Sequence, residues 1–245
     1  MTVSVCLPTR GRPERFADMY RSAIETAHGQ IEVVAVFDDD DETASAYPKG
    51  PTYLTVPAGT NQSGLWSVAW TAATGDVAHM GADDLIYRTE GWDLAVEEAF
   101  LRWRDRIGMV YVCDLYPLSS TPYVGQRASD AIGGGYCFAA NPFVSREWIE
   151  ALDGFFTPPY YKSWEADSWI YDVAKSISRV RYLKDVVIEH MHPMADKAPM
   201  DETYERGAWG KPVLRRIGWA MSKQKRKERL EQARILTEAI EATRR

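Results

Sequence analysis

Two runs of carboxylates follow short apolar segments of the sequence. Asp38 to Asp41 come directly after IEVVAVF, and Asp83 and Asp84 come after VAHM and a Gly-Ala pair. Carboxylates accept hydrogen bonds from hydroxyl and N–H groups of a ligand, and they also bind Mg²⁺ or Mn²⁺. A row of carboxylates in one place needs a counter-charge, and a divalent cation is the simplest source of it. These residues therefore predict a polar ligand site in which a divalent metal takes part.

Three other groups carry side chains that suit binding or catalysis. Pro8-Thr9-Arg10 follows the first apolar run. His190 and His192 alternate after VVIE, so in an extended segment both point to one side, and at least one, with His190 preferred, is a candidate metal or diphosphate contact. Glu165 and Asp167 lie at the start of a predicted helix, where a carboxylate acts as a general base or offsets the helix dipole.

Strands and helices alternate over the first 113 residues, which indicates an α/β protein with a parallel, doubly wound sheet. Ligands of such sheets bind at the carboxyl ends of the strands. Three of these ends are polar, at residues 8–12, 38–41 and 81–84. The predicted strands are 2–7, 31–37, 53–56, 77–80, 109–113, 180–183 and 186–189, and the predicted helices are 14–28, 64–74, 91–104, 143–152, 165–178 and 209–243.

The order of these motifs resembles the nucleotide-sugar-binding half of GT-A-fold glycosyltransferases, most closely those like family 2. The resemblance covers roughly residues 2–193. It implies a Rossmann-like, mostly parallel sheet flanked by helices, with a helical C-terminal extension. The motifs that carry it are Pro8-Thr9-Arg10, Asp38-Asp39, Thr74-Gly75-Asp76, Gly81-Ala82-Asp83-Asp84, the segment FVSREWIEALDGF at 143–155, and Trp164-Glu165-Ala166-Asp167.

The resemblance also implies where the donor binds. A nucleoside diphosphate sugar lies across the strand ends in this family. Pro8, Thr9 and Arg10 would line the base pocket. Asp38 would accept hydrogen bonds from the base or the ribose, and Asp39 is the second candidate for this role.

The metal motif of the family is usually Asp-x-Asp, and here the first of these carboxylates is replaced by Gly81. Asp83 is the residue expected to touch the metal and, through it, the donor diphosphate, with Asp84 as its neighbour. His190 or His192 would complete the site, as a late histidine does in some GT-A enzymes. Mn²⁺ or Mg²⁺ would neutralise charge on the departing diphosphate.

The transfer step implied by the family is inverting. A carboxylate takes the proton of the acceptor hydroxyl as its oxygen attacks the sugar carbon. By its position in the motif Asp167 is the expected base, and Glu165 is the alternative.

Structural roles remain open for the same residues. Asp38 to Asp41 can end a strand or cap a helix, and Asp83 and Asp84 can begin a helix. Trp164 and Trp169 can stack on a sugar or pack in the core. Gly133 to Gly135 and Tyr136 are interpreted as an acceptor-side loop rather than a phosphate-binding loop.

Composition and charge indicate a globular protein with an acidic body and a basic C-terminal segment. The chain has 245 residues, of which 45% are hydrophobic and 26% charged, which is typical of a globular protein and excludes a disordered chain. Residues 211–245 hold 11 basic and 4 acidic residues, whereas residues 1–210 hold 18 basic and 31 acidic residues. The acidic body argues against broad nucleic-acid binding. The basic tail is a solvated helix face, a contact for an anionic membrane surface, or a nucleic-acid contact.

These observations predict a glycosyltransferase domain at 1–208 and a basic helical extension at 209–245. The favoured donor is a UDP-sugar, and the acceptor is a hydroxyl of a glycan, lipid carrier, protein or modified nucleic-acid base. Because Cys6, Cys113 and Cys137 have no metal-ligand spacing, they are interpreted as reduced core residues of a cytoplasmic protein. Peripheral contact at the inner membrane surface, through residues 211–245, is an alternative setting. A sugar-phosphate nucleotidyltransferase and a non-catalytic nucleotide-sugar-binding module with a decayed site are the alternatives.

Overall fold

A mixed sheet of eight strands organises the part of the chain that the computed structural model describes, which is residues 1–115, 139–161, 165–206, 220–221 and 223–244. The strands are β1 (Thr2–Pro8), β2 (Gln30–Asp38), β3 (Thr52–Val56), β4 (Val77–Met80), β5 (Leu85–Tyr87), β6 (Met109–Cys113), β7 (Phe143–Ser145) and β8 (Val180–His190). Predictions made for Gly133 to Gly135, Tyr136, Cys137 and Trp164 fall outside these residues. The same holds for the predicted domain boundary between residues 208 and 209 and for residues 209–219 of the predicted C-terminal helix.

The strand order is β3-β2-β1-β4-β7-β6-β8-β5. The first four strands are parallel, as the alternating pattern predicts. Strand β7 runs antiparallel to both β4 and β6, β8 is parallel to β6, and β5 is antiparallel to β8. All four loops that follow the parallel strands therefore open at the same edge of the sheet.

Helices cover both faces of the sheet. They are α1 (Pro13–Thr26), α2 (Gln62–Trp70), α3 (Trp92–Leu101), α4 (Arg146–Ala151), α5 (Ala166–Ser176), α6 (Glu202–Arg206) and α7 (Arg226–Ala242). Alternate residues of β1 point to opposite faces, so Cys6 joins the core under α2, α4 and α5, while Val5 and Leu7 join the core under α1 and α3. The continuous apolar pattern of the inner strands follows from this double coverage.

Three details of the sheet differ from the sequence prediction. Residues 143–145 form strand β7 instead of the first turn of a helix, because they pair with β4 and β6. The two strands predicted at 180–183 and 186–189 are one strand, β8, interrupted by an irregularity in its pairing with β6. The short strand β5 was not predicted, and it pairs with the end of β8.

The C-terminal helix α7 packs on the body of the protein. Ala233, Leu236 and Ile240 are buried in the same core as α4 and α5. Trp169 is also buried there, and its indole N–H donates to Gln232 Oε1 at 2.7 Å, which agrees with the packing interpretation of this residue. Each helix of the described ranges is too short or too polar to span a lipid bilayer.

Candidate active site

The loop after β1 joins the two acidic runs at the edge of the sheet. Pro8 is the last residue of β1, and the hydroxyl of Thr9 donates to Asp83 Oδ2 at 2.8 Å. Arg10 forms an ion pair with Asp38 at 2.7 Å, and Asp40 also contacts its guanidinium. The prediction that parallel strand ends bring residues 8–12, 38–41 and 81–84 together is confirmed.

The first acidic run, here called the Asp38 region (residues 38–41), is held by backbone amides and by Arg10. Asp39 accepts a hydrogen bond from the Ala58 amide at 3.0 Å, and Asp41 accepts one from the Gly11 amide at 3.1 Å. Burial alone would raise the pKa of the Asp41 carboxyl, but hydrogen bonds from Thr43 and Gly11 lower it below its ordinary value. The region is partly open to solvent, since the Asp40 side chain is 54% exposed.

Gly81 lies where the resemblance leads one to expect the first metal-motif carboxylate, and the structure shows why a larger residue does not fit. Its amide donates to the Cys6 carbonyl at 2.8 Å, which extends the pairing of β4 with β1. A Cβ atom at this position would lie 2.8 Å from a methyl group of Val5 and 3.3 Å from the Cys6 carbonyl oxygen. A side chain at this position would therefore require the buried Val5 side chain to shift.

The second acidic run is buried and contains a cation from the chain itself. Arg12 Nη1 donates to Asp83 Oδ1 at 2.9 Å, so Arg12 and Thr9 together engage both oxygens of Asp83. Asp83 and Arg12 are 5% and 8% exposed. Burial raises the pKa of Asp83 to about 6, although the neighbouring guanidinium acts in the opposite direction.

A segment distant in sequence holds Arg12 in this position. Asp201 accepts from Nε of Arg12 at 2.9 Å and from Nη2 at 2.7 Å, a bidentate pair. The ring of Tyr204 lies under the guanidinium, 4.1 Å from Cζ to the ring centre. Arg12, Asp83, Asp84, Asp201 and Tyr204 are called the Asp83 region below.

Asp84 brings the two histidines to the Asp83 region. Asp84 Oδ2 contacts Nε2 of His190 at 3.3 Å and accepts a hydrogen bond from the hydroxyl of Tyr204. The pairing of β5 with β8 places these groups together, because Leu85 is opposite His190 and the Met191 amide donates to the Asp84 carbonyl at 2.8 Å. His192 packs beside His190, with 5.1 Å between the ring centres.

The two histidines are in different electrostatic environments. Burial alone would lower the pKa of His190, but the adjacent Asp84 carboxylate raises it above the ordinary value. Burial lowers the pKa of His192 to about 4, and the neighbouring His190 acts in the same direction. Burial alone would raise the pKa of Asp84, but His190 and Tyr204 lower it. The charge in this part of the site is therefore carried by Asp84 and His190.

The arrangement of Asp83 does not fit a divalent metal. Both of its oxygens are already hydrogen-bonded, and the Arg12 guanidinium lies beside them. Asp84 Oδ1, by contrast, is buried without a hydrogen-bond partner among the described residues, so this oxygen of the pair stays available to a cation. Within the described ranges, no group of three or more His, Cys, Asp or Glu side chains is placed to hold a metal ion.

The candidate bases lie on another element. Glu165 precedes α5 in the left-handed conformation, with φ of 78°. Asp167 is in the first turn of α5, and its Oδ1 accepts from the Ser168 amide at 2.6 Å. This contact joins the carboxylate to the amide of the next residue, within the first turn of its own helix. The described hydrogen bonds of Asp167 do not join it to Asp83.

Sequence reasoning missed Asp201 and Tyr204 and gave Arg12 no role at the acidic runs. Arg12 and Asp201 are 189 positions apart, so no local spacing relates them. The sequence feature that could have revealed the role of Arg12 is the pair Arg10 and Arg12, which follows β1 directly in a chain with two acidic strand ends.

Comparison with solved structures identifies proteins that share this architecture. S. aureus TarS 1–349 in complex with UDP matches 77% of this chain and 59% of its own at 16% identity, with a TM-score of 0.56. Glucosyl-3-phosphoglycerate synthase from Mycobacterium tuberculosis, in complex with Mn²⁺, UDP and phosphoglyceric acid, matches 84% of this chain and 75% of its own at 17% identity, with a TM-score of 0.57. The chain has the GT-A fold.

The matches differ in the extent that they cover. TarS 1–349 in complex with UDP-GlcNAc matches 84% of this chain and 64% of its own, with a TM-score of 0.56. The chain therefore spans less than two thirds of the TarS chains that carry the UDP and UDP-GlcNAc complexes. No protein-family model matches the sequence, and comparison with curated proteins finds no match.

Proposed function

We propose that the chain is a glycosyltransferase that moves a sugar from a nucleoside diphosphate sugar, with a UDP-sugar favoured, to a hydroxyl acceptor. The observation that carries the proposal is the joining of three strand-end loops by the Thr9–Asp83, Arg10–Asp38 and Gly11–Asp41 contacts. Ligands of open α/β sheets bind in this position. The fold is that of proteins crystallised with UDP and UDP-GlcNAc, which supports the choice of donor.

In this proposal the first loop and the Asp38 region bind the nucleoside. Pro8, Thr9 and Arg10 line the base pocket, and Asp38 and Asp39 accept hydrogen bonds from donors on the base or the ribose. The ion pair of Arg10 with Asp38 fixes the direction of both side chains. A bound nucleoside competes with Arg10 for Asp38, which is only partly buried.

The transfer itself needs a base on the acceptor side. Asp167 takes the proton of the acceptor hydroxyl while its oxygen attacks the anomeric carbon, and the bond between that carbon and the diphosphate oxygen breaks. The nucleoside diphosphate leaves with the electron pair of this bond. Glu165 is the alternative base. The product is inverted, and NMR assignment of its anomeric configuration tests this directly.

The acceptor is proposed only as a chemical class, and the cellular location as the cytoplasmic side of a membrane. A hydroxyl of a glycan, a lipid carrier, a protein or a modified nucleic-acid base satisfies the same chemistry. The exposed basic residues Lys223, Arg226 and Lys227 around the start of α7 would support contact with an anionic membrane surface from the cytoplasmic side. The apolar face of α7 does not contribute to such contact, since its buried residues pack on the protein.

The proposal is tested by thermal unfolding with a panel of nucleoside diphosphates and their sugars, each with and without Mn²⁺. A ligand at about 100 times its Kd stabilises by about 2.7 kcal/mol, which shifts the midpoint by a few degrees in a domain of this size. We expect UDP or a UDP-sugar to produce this shift. If no nucleotide shifts the midpoint under either condition, the donor assignment is wrong.

A variant separates catalysis from binding. Asp167→Asn is expected to keep the shift with UDP and to lose transfer of sugar, because only the base is removed. Asp172→Asn, on the same helix with a half-exposed side chain, is the matched control. Unchanged transfer by Asp167→Asn would move the assignment to Glu165.

One observation favours a second function, a non-catalytic module that binds nucleotide sugars. Asp83 and Asp84 are both buried and held by protein groups, so neither carboxylate faces open solvent. Slow release of UDP from a UDP-sugar in the absence of acceptor supports the enzyme. Binding of the UDP-sugar with no release and no transfer supports the module.

A further inference from the structure

We infer that Arg12 is the resident cation of the Asp83 region and that binding of the nucleoside diphosphate at this site does not require a divalent metal. The inference rests on the proposed function, because it concerns the donor of that reaction. The observations behind it are the hydrogen bonds of Arg12 to Asp83 and to Asp201, which lie in distant parts of the sequence.

Both carboxylate oxygens of Asp83, the expected metal ligand, are hydrogen-bonded to side chains of the first loop. Arg12 Nη1 is 2.9 Å from Asp83 Oδ1, and Thr9 donates to Asp83 Oδ2 at 2.8 Å. Arg12 Nη1 is also 4.0 Å from Asp84 Oδ2. A divalent ion bound to Asp83 would lie next to a fixed positive charge in a buried setting, where repulsion is only weakly screened.

Side chains of the chain itself already contact the carboxylates of the region. Three carboxylates, Asp83, Asp84 and Asp201, lie together. Arg12 contacts all three, Arg15 contacts Asp201 at 3.4 Å, and the imidazole of His190 contacts Asp84 at 3.3 Å. The counter-charge that the acidic sequence motif demands is thus supplied by side chains of the same chain.

Arg12 also retains hydrogen-bonding capacity for phosphate. A guanidinium has five N–H donors. The hydrogen bonds of Arg12 to Asp83 and Asp201 use one donor on each of its three nitrogens. Among the described residues, no further hydrogen bond uses the second N–H of Nη1 or of Nη2, and arginine binds phosphate oxygens through such groups in a planar, bidentate geometry.

Asp201 and Tyr204 act as positioning residues for Arg12. The bidentate pair with Asp201 fixes the plane of the guanidinium, and the Tyr204 ring supports it from one face at 4.1 Å. The segment that carries them is tied to the first loop by a further hydrogen bond, from Thr203 Oγ1 to the Arg10 carbonyl at 3.0 Å. The orientation of Arg12 therefore depends on residues 201–204.

The deciding experiment is a calorimetric titration of the wild-type chain with UDP, first in EDTA and then in saturating Mn²⁺. We expect the two Kd values to agree within about threefold. Binding that appears only with Mn²⁺ overturns the inference and leaves the proposed function intact. The absence of UDP binding under both conditions overturns both, so the two failures are distinguishable.

Variants identify Arg12 as the cation responsible. Arg12→Gln is expected to weaken UDP binding in EDTA at least tenfold, and Arg12→Lys, which keeps the charge, less than Arg12→Gln. Arg21→Gln is the control, because Arg21 pairs only with the exposed Asp18 among the described residues. Equal affinity of Arg12→Gln and Arg21→Gln overturns the inference.

A second pair of variants tests the positioning role even if changes at Arg12 impair folding. Asp201→Asn removes one charge of the bidentate pair and is expected to weaken UDP binding in EDTA at least fivefold. Asp196→Asn, an exposed residue of the same segment, is expected to bind like the wild type. A midpoint of thermal unfolding within a few degrees of the wild type shows that the effect is on binding.

Discussion

The Asp38 region and the Asp83 region begin from the same sequence pattern and end in different environments. Each follows a parallel strand, and each pairs with an arginine of the loop after β1. Arg10 and Asp38 have side chains 26% and 19% exposed, whereas those of Arg12 and Asp83 are 7% and 6% exposed. An ion pair near solvent contributes little to stability, but a buried charge that loses its partner is costly. The solvent exposure of each ion pair therefore determines how much its loss destabilises the protein.

The largest difference is expected on removal of each arginine. Arg12→Met leaves buried carboxylates without their guanidinium and is expected to lower the free energy of unfolding by about 3–5 kcal/mol. Arg10→Met, at the more exposed pair, is expected to lower it by less than about 1 kcal/mol. Urea unfolding at pH 7 measures both values. Similar losses for the two variants would show that the regions do not differ in the way their burial indicates.

A smaller difference is expected in sensitivity to acid. His79 is fully buried on β4, the strand that leads to the Asp83 region, and stacks on Phe143 with 3.9 Å between ring centres. Burial lowers its pKa from 6.5 to about 3. Because the unfolded chain binds this proton more readily, the contribution of neutral His79 is present above pH 6.5 and is lost as the pH falls toward its folded pKa.

The size of this effect follows from the width of the pH interval. Between pH 6.5 and pH 5.0 the wild type is expected to lose about 1.6 kcal/mol relative to His79→Gln. His28→Gln, at a histidine with a 54% exposed side chain, is the control. In the Asp38 region, the lowered pKa of Asp41 places its own loss of stability below about pH 4, outside this interval. Urea unfolding at the two pH values measures the free energy of unfolding of each variant. An equal change in this free energy for the wild type and His79→Gln would contradict the prediction.

The smallest effect is expected from salt. At about 0.1 M ionic strength, interactions between exposed charges are screened beyond about 10 Å, and buried pairs are screened much less. Raising NaCl from 0.05 to 0.5 M should bring Arg10→Met close to the wild type in stability. The deficit of Arg12→Met should persist. A deficit of Arg12→Met that disappears in salt would mean that water reaches this pair.

The sequence was sufficient for the parts of the fold that depend on local pattern. The apolar runs of β1, β2 and β4 and the helical spacing of α1, α3 and α5 are visible without tertiary contacts, and the rule for ligands at strand ends located three loops that do meet. The short strand β5 and strand β7 were missed because three residues give too little periodicity. Their conformation is set by pairing with β8, β4 and β6.

The candidate site likewise contains residues that the sequence predicts and residues that only the tertiary structure brings in. Thr9, Arg10, Asp38 and Asp83 lie next to strand ends, and the sequence alone determined that they gather at one edge of the sheet. Which cation neutralises Asp83 was decided only in the tertiary structure. The return of residues 199–204 to the N-terminal part of the chain brings Asp201 to Arg12 across 189 positions, together with Tyr204. In the folded chain the acidic motif that resembles a metal site pairs with Arg12, because a buried carboxylate is stable only beside a counter-charge that folding brings to it.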